Sequence, residues 1–91
     1  MPRISIHLPA LLADSLGERE LHVDALTLDA ALLAFRTAHP RAATHVFDDA
    51  GKQRRHVLLF LNDHDTRWIE NPRQPLRPGD CLRVVQAISG G

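Results

Sequence analysis

Only one stretch of this chain has the spacing of a long helix, and it constrains everything else. Thr27 can accept hydrogen bonds from the first free amides, and Asp29 in the first turn suits the positive end of a helix dipole. Leu28, Leu32 and Phe35 follow at helical spacing, with Ala31 and Ala38 near the same face, and Pro40 stops the helix. One helix cannot enclose its own apolar stripe, so this stripe must lie on something else. The remaining apolar segments alternate or run in short bursts, which is strand patterning, so the stripe is expected to cover a sheet. With 91 residues, 44% of them apolar and the charges mixed, the chain reads as one globular domain able to bury a core.

The strands can be placed in order. Ile4, Ile6 and Leu8 alternate with Arg3, Ser5 and His7, and Pro9 ends the run. Residues 10–17 read as a connection with a turn at Ser15-Leu16-Gly17, and residues 18–23 alternate again, so the first two strands are expected to form a hairpin. After the helix, residues 41–47 suggest a short helical turn that packs Val46 and Phe47 inward, and residues 48–52 a turn. Val57-Leu58-Leu59-Phe60-Leu61 is a continuous apolar run, as in an interior strand. Residues 62–65 form the next turn, and Thr66-Arg67-Trp68-Ile69 a short strand or extended piece. A proline-rich segment ending in Pro78-Gly79-Asp80 leads to a last strand over residues 81–87.

A hairpin, a helix and then further strands imply an α+β fold: a mixed sheet with one main helix on one face. Pairing the first and last strands in parallel at the sheet centre satisfies this order, which is the β-grasp (ubiquitin-like) arrangement. It also throws the C-terminal residues off the end of a central strand. Ile88-Ser89-Gly90-Gly91 follows that strand. Two glycines without Cβ atoms thread where side chains would clash and contribute little to a core. The expected division is a domain over residues 1–88 and a flexible tail, Ser89, Gly90 and Gly91, suited to entering another protein's active site.

The residues also resemble a known family, the ThiS/MoaD-like ubiquitin-like sulfur carriers. The resemblance spans nearly the whole chain in length and element order. Its specific parts are Leu61-Asn62-Asp63-His64-Asp65 followed by Arg67-Trp68, the segment Leu76-Arg77-Pro78-Gly79-Asp80, and Gly90-Gly91. Ile88-Ser89 stands where relatives often carry a small apolar pair. The resemblance implies that the Gly91 carboxylate is adenylated with ATP by a separate ubiquitin-activating-type enzyme, then converted to a thiocarboxylate whose sulfur passes to a client enzyme. It implies no bound cofactor and no catalytic residue, hence a carrier and not an enzyme. The turn around Asn62 looks most like carriers that serve a cysteine-synthase-type client. The small subunit of molybdopterin synthase and a modifier conjugated through Gly91 are the alternatives, and an inert binding module is a further one.

Other candidates are weaker. His45, His56 and His64, with Asp63 and Asp65, invite a metal reading, but neighbours in one turn do not make a closed ligand set, so no metal is expected. Asp63 and Asp65 are expected to cap their turn instead. Cys81 reads as a small buried strand residue in preference to a reactive thiol. Lys52, Arg54 and Arg55 read as a solvated surface in preference to a dock for an acidic partner, and Trp68 as a core or edge-packing residue in preference to an exposed interface anchor. A net charge of zero offers no footprint for nucleic acid or an anionic membrane. No apolar run is long enough to span a bilayer, the N-terminal residues lack a signal-peptide core, and one cysteine excludes an internal disulfide. These features lead to a cytoplasmic expectation.

Overall fold

Ile4 and Ile6 are fully buried while Arg3 and His7 are exposed, so the first strand (β1, Arg3–His7) keeps the alternation read from its sequence. A computed structural model describes residues 1–86. In it, β1 pairs antiparallel with β2 (Glu20–Asp24), placing Ile4 opposite Val23 and Ile6 opposite Leu21. On its other side β1 pairs in parallel with β5 (Cys81–Gln86), with Ile6 opposite Leu82. β5 runs antiparallel to β3 (Val57–Leu61), which carries the two-residue β4 (His64–Asp65) at the sheet edge. The order β2-β1-β5-β3-β4 therefore has the first and last strands side by side in its middle. This is the expected β-grasp arrangement.

The long helix, α2 (Leu28–Ala38), starts where Thr27 Oγ1 accepts from the Ala30 amide at 3.4 Å and ends before Pro40. Asp29 accepts from the Thr27 hydroxyl and the Ala30 amide, and these bonds hold its carboxyl below the ordinary range. Leu28, Ala31 and Phe35 are buried, and Leu32 packs partly against them. Ala38, expected near this face, is exposed. Past His39, Pro40 opens a short helix, α3 (Pro40–Ala43), and Val46 and Phe47 pack inward as expected. Phe47 meets Phe35 edge to face at 6.1 Å between ring centres. Asp48 Oδ1 accepts from the amides of Ala50 and Lys52, closing the predicted turn.

Three readings need correction. Residues 10–17 are not a plain connection: Ala10–Leu16 is a helix, α1, with Leu12 and Ala13 in the core. It lacks a capping side chain and spans about two turns, so its periodicity is weak. Its signals are Pro9 with φ −67 before it and Gly17 with φ 77 after it, where the Gly17 amide donates to the Ala13 carbonyl at 2.8 Å. The first two strands are thus antiparallel neighbours joined through a helix. Second, Thr66–Trp68 is a 3₁₀ turn instead of a short strand or extended piece, begun by Asp65 Oδ1 accepting from the Arg67 amide. Third, that turn points Trp68 outward, 79% exposed, and Ile69 takes the place against the core.

The helices leave one sheet face open. No helix among the described residues is long and apolar enough to cross a membrane. Phe35 is 0% exposed at the centre of the helical layer. Phe35→Ala is expected to lower unfolding free energy by about 3–5 kcal/mol in urea denaturation. A change of only a few tenths would mean that the helix does not press this ring into the core.

Candidate functional site

The two ends of β5 are built differently. At its start, Asn62 adopts φ 55, a left-handed conformation that Asn tolerates better than most residues. In that position its side chain faces the incoming strand. Oδ1 accepts from the Cys81 amide at 3.1 Å and Nδ2 donates to Asp80 Oδ1 at 3.2 Å. The Asn62 amide donates to the Cys81 carbonyl at 2.8 Å. Asp80 in turn closes its own loop, because Oδ2 accepts from the Arg77 amide at 2.8 Å and its amide donates to the Arg77 carbonyl at 3.1 Å. Pro78 and then Gly79 with φ 90 supply the two residues a type II turn asks for. The Asp80 carbonyl also accepts from Ser5 of β1. The two turns that looked separate in the sequence are therefore one clamp on the amino end of β5. Asp65 lies outside it: hydrogen bonds and charge from Arg67 hold its carboxyl below the ordinary range. It caps the next turn and not its own, and Asp63 is exposed.

At the carboxyl end the partners thin out. The β1 ladder ends at His7 opposite Arg83, whereas β3 continues to Val57 opposite Gln86. Around that end lies the loop Lys52–His56. Its backbone is fixed by a bridge from Gln53 to Phe47, by the Arg54 amide donating to the Val46 carbonyl, and by Gln53 Nε2 donating to the Val57 carbonyl. Arg54 Nε donates to the Thr44 carbonyl at 3.0 Å. A cleft of about 370 Å³ runs between Thr44, His45, Arg54, His56 and Gln86. A second hollow, of about 590 Å³, shares Arg54 and His56 and adds Asp48, Lys52, Gln53 and Arg55. Ser89, Gly90 and Gly91, the predicted site, lie outside the described residues, as does the boundary expected at residue 88. By sequence they follow Gln86 on this side.

The remaining candidates separate. His45 and His56 line the carboxyl-end cleft, while His64 sits beyond the clamp in β4. Among the described residues no three His, Cys, Asp or Glu side chains are placed to hold a metal. Cys81 is half-buried at the start of β5, with Sγ 3.6 Å from the Leu82 carbonyl. The side-chain contacts on the open face were not foreseen. Arg83 lies over Phe60, 5.3 Å from the ring centre, and Glu20 bridges His7 at 2.8 Å and His22 at 3.0 Å. The signal was present in the alternate positions of each strand, which must point away from the helices.

The family model described as the ThiS family matches residues 6–91. The chain belongs to the ThiS family. Its fold is shared with solved ubiquitin-like proteins. SAMP1 from Haloferax volcanii is 29% identical over 98% of this chain and 99% of its own, with a TM-score of 0.74. The small archaeal modifier protein 1 from Methanosarcina acetivorans has a TM-score of 0.78 at 20% identity, covering 100% of this chain and 98% of its own. An Amycolatopsis orientalis chain, solved in a BexX/CysO complex, has a TM-score of 0.74 at 20% identity, covering 97% and 99%. No curated protein matches the sequence.

For this ThiS-family domain the clamp makes a specific demand on residue 62. Asn62→Gly keeps the left-handed backbone and loses the side-chain bonds; Asn62→Ala loses both. Each should destabilise the domain by roughly 1–3 kcal/mol, the alanine variant more. Thermal unfolding of the pair checks the order. Equal stability to the parent would show that Asn62 does not hold β5.

Proposed function

We propose that this chain is a sulfur carrier acting through a thiocarboxylate on Gly91. The observation that carries the reading is β5: fixed at its start by Asn62 and Asp80, it directs its other end to a Gly-Gly terminus that the family match includes. From Gln86 to Gly91 are five residues, a reach of roughly 17 Å at full extension. That is enough for a slender carboxylate to enter a partner's active site while the domain stays outside.

The chemistry assigns the catalytic groups to the partners. A C-terminal carboxylate is ionised at neutral pH and resists attack by a nucleophile. In a ubiquitin-activating-type enzyme its oxygen attacks the α-phosphorus of ATP, and pyrophosphate leaves. Sulfide then attacks the acyl carbon of the adenylate and AMP departs, leaving the thiocarboxylate. ATP belongs to the activating partner, and this chain is a carrier, not an enzyme. The ATP requirement and the single cysteine fit a cytoplasmic reaction. For the client, the Asn62-Asp63-x-Asp65-x-Arg67-Trp68 pattern supports a cysteine-synthase-type enzyme, making cysteine biosynthesis the preferred pathway. A second reading, conjugation of Gly91 to lysines of other proteins, is favoured by the 29% identity to SAMP1.

Three variants test the carrier reading while leaving the described core untouched. Deleting Gly91 withdraws the carboxylate by one residue, and adding a residue after it pushes the carboxylate out of line by about 3.3–3.6 Å. Gly90→Val keeps the length but adds a branched side chain on the approach path. All three should unfold at the parent's midpoint and lose ATP-dependent thiocarboxylate formation. The readout is intact mass after incubation with the activating enzyme, ATP and sulfide. Full thiocarboxylation of the Gly91 deletion would overturn the proposal, and isopeptide adducts without thiocarboxylate would favour the modifier reading.

A further inference from the structure

The net charge of zero conceals a local excess of positive charge at one place. Lys52, Arg54 and Arg55 stand together around the hollow beside the carboxyl end of β5, with Asp48 the only carboxylate lining it. Asp48 is already engaged, because its Oδ1 accepts from two backbone amides. None of the three cations forms an ion pair among the described residues, whose ion pairs involve Glu20 and Asp65. Nor is the loop loose. Bonds from Gln53 and Arg54 to Phe47, Val46, Thr44 and Val57 fix it to the core on both sides. A basic surface held this firmly loses little conformational freedom on association. It is also continuous with the exit of β5, since Arg54 and His56 share a cleft with Gln86.

We propose that the loop Lys52–His56 is the docking rim through which this domain meets an acidic surface around the entrance of its activating enzyme. The inference rests on the carrier reading and adds the chemistry of the partner. Five residues set the distance from Gln86 to the reacting carboxylate, so when Gly91 reaches ATP the loop lies against the enzyme beside its entrance. Opposite charge there serves two ends. It raises the encounter rate, and it favours a tail-first approach, because the fixed basic loop lies at the end of the sheet where β5 finishes. Arg54 is a positioning residue as well as a cation, since its Nε holds the loop to Thr44. Lys52 and Arg55 are exposed and their side chains carry charge alone.

The test compares two doubly reversed variants of equal net charge. One is Lys52→Glu with Arg55→Glu; the other is Arg73→Glu with Arg77→Glu, exposed residues at the opposite end of β5, where Arg77 joins the clamp through its backbone. The complete chain is assayed with the adenylating enzyme of the same genome, ATP and sulfide, across a salt series. At low ionic strength the first variant is expected to lose tenfold or more in kcat/KM, on the scale of electrostatic steering, with kcat at saturation retained. The loss should shrink towards about 1 M salt, where screening acts within roughly 3 Å. The second variant should stay within about twofold of the parent. Equal losses in both variants, no loss in the first, or a loss that ignores salt would each overturn the docking rim. These outcomes leave the carrier reading standing, because the parent still acquires sulfur. A parent chain that acquires none overturns both. Circular dichroism of the first variant must match the parent, and Lys52→Gln with Arg55→Gln should fall between parent and reversal.

Discussion

The parallel pairing of β1 with β5 is the contact on which the rest of the structure depends. Parallel neighbours cannot be joined by a tight turn. Everything between them, from residue 8 to residue 80, is an excursion that must return the chain beside its own first strand. The excursion supplies what the pairing needs: β2 and β3 flank the two strands, and α2 covers the face where Ile4, Ile6, Leu82 and Val84 are buried. Leu82 and Val84 lie between two strands and under the helix, so β5 is held along its apolar face. Its direction is then fixed, and with it the side of the domain at which Gln86 lies.

This arrangement divides the labour along a single strand. The amino end carries the side-chain hydrogen bonds, where Asn62, Asp80 and the turn at Pro78-Gly79 fasten β5 to β3 and β1. The carboxyl end carries the anchored basic loop and the last ladder pair, Val57 with Gln86. The residues that mark the family in the sequence are thus largely structural, and the chemistry expected of it needs only a carboxylate delivered on a stiff support.

Much of this was legible in the sequence because the decisive signals are local. Thr27 and Pro40 bound the helix, alternation at Ile4 and Ile6 identifies a half-buried strand, and Val57–Leu61 reads as an interior one. What failed to show depends on tertiary context. The helix α1 is too short for its periodicity to register, so Gly17 looked like a turn where it is a helix cap. Trp68 points outward because Asp65 starts a 3₁₀ turn, an effect of one hydrogen bond to the Arg67 amide that composition does not report. Likewise, nothing in the spacing of Asn62 and Asp80 told that they bond to each other across eighteen residues of chain. The basic loop was visible as residues, but its place beside Gln86 follows only from the antiparallel register of β3 and β5.

The central claim is that the domain supplies position while the C-terminal carboxylate alone carries sulfur. The single cysteine, half-buried Cys81, offers the competing chemistry, a persulfide on its Sγ. Tandem mass spectrometry of the sulfur-loaded chain, before and after treatment with a thiol reductant, separates the two. The account predicts that the extra sulfur replaces an oxygen in the fragment ending at Gly91 and survives the reductant. Sulfur added to the fragment containing Cys81, and removed by the reductant, would contradict it.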